Sequence, residues 1–362
     1  MAESKRLTPG YAKPEATSML LVLVGIFGIS LLVIVHEAGH YFAARAFGMR
    51  VTRFSIGLGP VLVSHQPKGS DTTFQICAIP FLAYVMIAGM NPAEEVDPKD
   101  PGLFPNKSVF ARIITIFGGP FANYLAASLL LFGMGLFAWR EARTDPMQVA
   151  TIEKGSPAEL AGLKPGDIVR EGNGKPIKDV KELIEVTRDR AGMPTVYVIE
   201  RAGERLPPFT ITPNKNGDRG VIGVTPVVTT VITRLPVDEA AYKAVVLPYL
   251  FSIENLAGLW SLVERRTTEG VTGPVGMVKM VAQQSEKGIL PFLDILIAIS
   301  IALGLFNLLP FPALDGGRLM FLGYELITRR RPNERFEATV HAVGILFLLG
   351  VIALVTFRDI VG

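Results

Sequence analysis

The sequence predicts a multi-pass α-helical membrane protein with four transmembrane helices, a membrane-associated β-hairpin and an inserted β-rich domain. Three observations carry this. Of the 362 residues, 49% are apolar and only 19% are charged, where soluble chains carry about 25% charge. Four apolar runs approach or exceed the roughly 20 residues needed to cross a bilayer. Between the second and third runs, the composition becomes that of a soluble domain.

The same numbers narrow the function. A disordered or coiled-coil chain is excluded. Thirty-six Lys+Arg against 33 Asp+Glu leave a net charge of +3, too little for a binder of nucleic acid, which needs a concentrated basic face. The single cysteine, Cys77, rules out an internal disulfide framework and a cysteine-rich zinc module. Any metal must therefore be held by Asp, Glu or one of only four His.

Residues 1–18 form an N-terminal tail containing Lys5, Arg6 and Lys13. The first transmembrane helix is expected over 19–50, where MLLVLVGIFGISLLVIV runs on through HEAGH into YFAARAFGM. No small-x-small cleavage site separates these stretches, so the run reads as a retained helix and not a signal peptide. Residues 51–108 come next. Alternation in TTFQICAIP after the polar turn HQPKGSD predicts a β-hairpin over 51–88. Unpaired backbone is not tolerated in lipid, so this hairpin is expected to pack at the cytoplasmic membrane face.

The second transmembrane helix is expected over 109–139. Residues 148–226 follow as a small domain with strands at VATIE, DIVREG, TVYVIER, FTIT and VIGV and a helix at 180–191. The 239–288 segment begins with an amphipathic stretch carrying Trp260, expected to lie along the membrane surface. The third helix falls in 289–327 and the fourth in 338–357. Lys and Arg concentrate between the first two helices (Arg45, Arg50, Arg53, Lys68, Lys99, Lys107, Arg112) and in the 318–337 loop (Arg318, Arg329, Arg330, Arg331). By the positive-inside rule both loops are cytoplasmic, and the β-rich domain and both termini lie on the other side.

The chemistry centres on His36-Glu37-Ala38-Gly39-His40. Positions i and i+4 share one helical face, so both imidazoles reach one ion with a carboxylate beside them. Two imidazole nitrogens suit Zn²⁺ and leave room for a third ligand and a water. Ionisable groups inside an apolar run are costly and mark function. For the third ligand, His65 in the hairpin turn and His341 near the last helix read as ordinary surface or helix-end histidines. Glu325 and Glu337 read as solvated, and Asp294 as interfacial. Asp315 remains, in Asn307-Leu-Leu-Pro-Phe-Pro-Ala-Leu-Asp-Gly-Gly-Arg318. Pro310 and Pro312 end the preceding helix, and an aspartate there can coordinate a metal, cap the next helix, or do both.

HExxH on the first helix with NxxPxPxLDGG on a later one resembles the site-2 protease family of intramembrane zinc metalloproteases, in particular its bacterial branch of the regulator of sigma-E protease type. The likeness covers nearly the whole chain and includes FSIGLGP at 54–60, AIPFLAYVMIAG at 78–89, GGPFAN at 118–123, GSPAELAGLKPGDIV at 155–169 and GPVGM at 273–277. The resemblance implies that His36, His40 and Asp315 ligate Zn²⁺, that Glu37 is the catalytic base, and that Asn307 positions substrate or stabilises the oxyanion. It also implies that 148–226 is a PDZ-like domain, one where some relatives have two. Its final strand, Arg219–Thr225 with Val221 and Gly223, would form a peptide groove, or the domain would act as a size filter. Leu82-Ala83 replaces the more usual Gly-Gly of its segment.

A substrate transmembrane helix has all its carbonyls bonded internally, so cleavage demands local unwinding. The hairpin, with Gln75 and Cys77, offers an edge on which an unwound segment can pair. Asn123 either faces substrate or bonds a neighbouring helix. The resemblance implies single-pass membrane substrates, an anti-sigma factor stub or remnant signal peptides, in the bacterial inner membrane, with lipid as the surrounding partner.

Overall fold

The computed structural model describes residues 19–91, 94, 97–216, 219–265 and 272–361; the expected 1–18 tail lies outside them. The chain divides into two compact units, Met1–Leu136 with Pro236–Gly362, and Phe137–Leu235.

The first unit opens with α1 (Met19–Ala46), an uninterrupted apolar helix. Its 28 residues extend about 42 Å at 1.5 Å per residue. Gly48, at φ +64°, turns the chain out of it. Strands β1 (Val51–His65) and β2 (Thr73–Ile87) then pair antiparallel. The register shows that each strand doubles back on itself. Arg53 to Ile56 face Met86 to Ala83 on one side and Thr73 to Ile76 on the other, while Val61 to His65 lie against Cys77 to Phe74. Two strands thus make four rows, in the order 61–65, 73–77, 51–56, 83–87. Gly57 (φ +91°) and Gly59 (φ +88°), just before Pro60, allow the bend in β1.

That folding corrects one expectation. Gln75 has Ser55 on one flank and Ser64 on the other, and Cys77, further along the Gln75 row, pairs with Val61 of the next. Neither stands at an outer edge, because β1 bends back to cover it. The outer rows are 61–65 and 83–87. The sheet leads to α2 (Val109–Ala138). Ala44, Met49, Val51, Ile87 and Ala111 form one core where α1, the sheet and α2 meet.

The second unit contains β3 (Trp139–Arg143), β4 (Val149–Ile152), a short α3 (Pro157–Leu160), β5 (Ile168–Gly172), β6 (Lys175–Pro176) and α4 (Val180–Arg188). It continues through β7 (Thr195–Arg201), β8 (Glu204–Arg205), β9 (Phe209–Ile211), β10 (Asn214–Asn216), β11 (Arg219–Val221), β12 (Val224–Pro226) and β13 (Thr229–Thr233). Its core of Met147, Val149, Val169, Leu183, Tyr197, Ile199, Ile211 and Ile222 gathers inward residues of the strands and of α4. Asp167 is fully buried beneath Arg201, which donates to it at 2.6 and 2.9 Å. Arg219–Thr225 is not one strand. Gly223, at φ +76°, breaks it, so that β11 pairs with β10 and β12 with β4.

The first unit resumes with α5 (Val237–Arg265), α6 (Pro274–Glu286), α7 (Ile289–Leu308), α8 (Asp315–Thr328) and α9 (Glu334–Val361). Gly25 and Gly28 let α1 press against α6 and α7, around Ile29, Leu32, Val278, Val281 and Leu296. Among the described residues, five helices are long and apolar enough to cross a membrane, one more than expected. The addition is Val237–Leu262 of α5. Pro248 sits inside that helix without ending it, so its apolar stretch remains continuous.

Candidate active site

On α1, His36 and His40 face the same way and are both buried. Asp315, the first residue of α8, joins them. His36 Nε2 and His40 Nε2 are 3.2 Å apart, and Asp315 Oδ2 lies 3.1 Å from the first and 3.3 Å from the second. Donors bound to one tetrahedral Zn²⁺ at about 2.0–2.1 Å stand roughly 3.3 Å from one another. The three donors fit that ion, and among the described residues they form the one group of three able to hold a metal.

The other ring nitrogens fix the tautomers. His40 Nδ1 donates to the carbonyl of Thr115 at 2.9 Å. A carbonyl only accepts, so the proton sits on Nδ1 and Nε2 presents a lone pair. His36 Nδ1 lies 3.1 Å from the side-chain amide of Asn123, which is fully buried. An amide's oxygen and nitrogen exchange by a half-turn; with Nε2 on a metal, the protonated Nδ1 meets the oxygen. Asn123 is thus placed against the His36 ring of the neighbouring helix. Sequence reasoning missed Thr115 altogether, because a backbone carbonyl leaves no mark on residue type.

Three glycines make this approach possible. A side chain on Gly39 would run into the Gly118 carbonyl, and one on Gly118 would come within 2.6 Å of the Gly39 carbonyl. Gly119 lies directly over the ligand pair. Its Cβ would collide with His40 Nε2 and sit 2.8 Å from His36 Nε2, in the space an ion needs.

Asp315 is delivered by the 309–314 turn that follows α7. Ala313 there is held at φ +80°, a conformation costing an L-residue roughly 1–2 kcal/mol. Gly316 and Gly317 pass so close to the Leu309 and Phe311 carbonyls that no side chain fits at either. At the far end of α8, Glu325 receives both Arg112 guanidinium nitrogens, at 2.6 and 3.0 Å. Glu325, expected to be solvated, is 8% exposed; its partner 213 positions away was invisible to a local reading.

Glu37 accepts from the Val85 backbone N–H at 3.0 Å. The outermost sheet row therefore touches the helix that carries both histidines. Asn307 is near the end of α7, its amide donating to the Leu303 carbonyl at 3.0 Å, with no bond to the ligand set. His65 is exposed at the end of β1. Val221 is exposed on β11. Gly223 packs on Ser156, and its carbonyl accepts from Glu153 N–H at 2.9 Å.

A helix-borne HExxH joined by a carboxylate from another helix, within a bundle of apolar helices, defines a membrane metallopeptidase. The chain belongs to Peptidase family M50, whose profile matches residues 24–351. Proteins named as zinc metalloproteases are similar along almost their whole length. One from Fusobacterium nucleatum is 30% identical over 93% of this chain and 98% of its own. One from Synechocystis is 32% identical over 94% and 95%, and one from Nostoc is 32% identical over 91% and 93%. Zn²⁺ is accordingly the metal of the site. The PDZ domain of an SdrC-like protein from Listeria monocytogenes is similar over 23% of this chain and 88% of its own, at 21% identity and a TM-score of 0.21.

Proposed function

We propose that this protein is an intramembrane zinc endopeptidase of the site-2 protease type, cleaving single-pass membrane proteins within their transmembrane segments. The carrying observation is the His36–His40–Asp315 set, with its donors at metal-binding spacing and both histidines on a helix apolar enough for a bilayer. The substrates we infer are a pre-shortened anti-sigma factor or remnant signal peptides, in a bacterial inner membrane. The Arg-rich loops would face the cytoplasm and the β-rich unit the opposite side.

His36, His40 and Asp315 hold the ion, which when bound supplies Lewis acidity toward a water and a peptide carbonyl. Glu37 takes the proton of the attacking water and passes it to the leaving amine. The Val85 amide keeps its carboxylate aimed. The 83–87 row offers its outer backbone groups to an unwound substrate as an added strand beside Glu37. Asn307, released from Leu303, would donate to the developing oxyanion. The β-rich unit would capture a peptide or exclude bulky ectodomains.

Structural zinc sites are closed by four protein ligands. Three gather here among the described residues, which favours catalysis over a scaffold with an inert metal. The test is proteolysis of a single-pass membrane stub by the purified full chain in detergent, compared with Glu37→Gln. Equal cleavage by both proteins would defeat the proposal.

A further inference from the structure

α9 is otherwise little enclosed, with 6% of its apolar window buried, yet three of its residues grip the turn that delivers Asp315. The Ala313 N–H donates to His341 Nδ1 at 3.1 Å. A backbone N–H only donates, so that imidazole presents its lone pair to Ala313 and carries its proton on Nε2, which points toward Glu337 at 4.0 Å. One turn on, Gly344 lies so close that a side chain would collide with Pro312 and come within 2.7 Å of its backbone carbonyl carbon. A turn further, Phe347 packs on Phe311, with ring centroids 5.7 Å apart. Positions 341, 344 and 347 form one helical stripe at i, i+3 and i+6, and they meet 313, 312 and 311 in reverse order.

The grip falls where the turn needs it. Ala313 sits at φ +80°, which a non-glycine residue leaves unless its surroundings hold it. Asp315 is two residues beyond. The Phe321 ring, 5.6 Å from the His341 ring, fixes the imidazole from the α8 side.

We infer that α9 is the strap that aims the third metal ligand, with His341 as a positioning residue that holds Ala313 so that Asp315 meets His36 and His40. This rests on the metal reading of those three residues. His341 neither binds the ion nor touches substrate; it acts through the turn.

The test is Zn²⁺ affinity of the purified full chain in detergent, read by chelator competition, for native protein, His341→Phe, His341→Gln and Asp315→Ala. Phenylalanine keeps the ring contact and removes the acceptor; glutamine restores an acceptor. Loss of an outer partner of a metal site typically weakens binding about 10–100-fold. That loss is expected for His341→Phe, with helical content and apo-protein melting unchanged, while His341→Gln stays within about threefold of native. Native-like affinity in His341→Phe, with Asp315→Ala weakened, overturns the strap and leaves the metal site standing. Equal losses in the Phe and Gln variants also overturn it. Native-like affinity in Asp315→Ala sinks the metal reading itself. If His341→Phe does not fold, Gly344→Ala presses on Pro312 from the second contact, and the same affinity loss is expected; unaltered affinity overturns the strap.

Discussion

His40 hands its Nδ1 proton to the carbonyl of Thr115 at 2.9 Å, so a backbone atom of α2 decides which nitrogen of an α1 side chain is free for a metal. Asn123, two turns further along α2, has its side-chain amide 3.1 Å from His36 Nδ1 and, with its oxygen turned to that nitrogen, would do the same for His36. The second helix contributes no ligand, yet it sets the chemistry of two.

From this it follows that Asn123→Leu should weaken Zn²⁺ binding about 10–100-fold. Asn123→Asp, which keeps an acceptor for the His36 Nδ1 proton, should retain more affinity than the leucine variant. Isothermal titration of the apo protein ranks the two, and the reverse order would refute the tautomer assignment.

Glu37→Gln should retain stoichiometric zinc and lose at least about 10²-fold in cleavage, the usual contribution of a general base. Metal content by atomic emission, measured on the sample used for the protease assay, separates loss of the base from loss of the ion.

Gly119→Ala places a methyl group where the ligand nitrogens converge. Zinc content should fall toward zero while the helical circular dichroism signal persists. Full occupancy in that variant would show that the ion sits elsewhere.

Arg112→Met removes the two short bonds to buried Glu325 and leaves it only the more exposed Arg331, 3.6 Å away. A broken buried pair costs about 3–5 kcal/mol, expected as early unfolding in a detergent-denaturation series. Replacing both residues by methionine should recover most of that loss, since no stranded charge remains.

In the β-rich unit, burial acts to raise the Asp167 carboxyl, but Arg201 and the Lys164 amide outweigh it and hold its pKa below the usual carboxylate value. A depressed native pKa stabilises the fold at pH values above the ordinary titration of an unfolded aspartate, near 3.9, and that contribution fades as pH falls below it. Acid denaturation followed by near-ultraviolet circular dichroism should therefore shift to higher pH in Arg201→Met. An unmoved acid limb would argue against the pair.

Legibility in the sequence divided along a physical line. His36, Glu37 and His40 could be read because one helical period brings them together, and α1, α2 and α7 because length and apolarity define a span. Asp315 needed the flanking prolines and glycines to single it out. What escaped lay across the chain or in the backbone. The partnership of Arg112 and Glu325, the Thr115 carbonyl, and the inner placement of Gln75 and Cys77 depend on neighbours brought together only by folding. For α5 the sparse polar residues point to a surface helix, while its unbroken length and apolarity also permit a crossing.

The meeting of Gly39 and Gly118 gives the site a hard stop. Backbone rests on backbone there with only the Ala43 and Ala122 methyl groups alongside, so α1 and α2 have almost nothing between them to compress, and His36 and His40 cannot be drawn deeper into the second helix. The aperture around the ion is gauged by two missing methyl groups, and restoring either would wedge the helices apart.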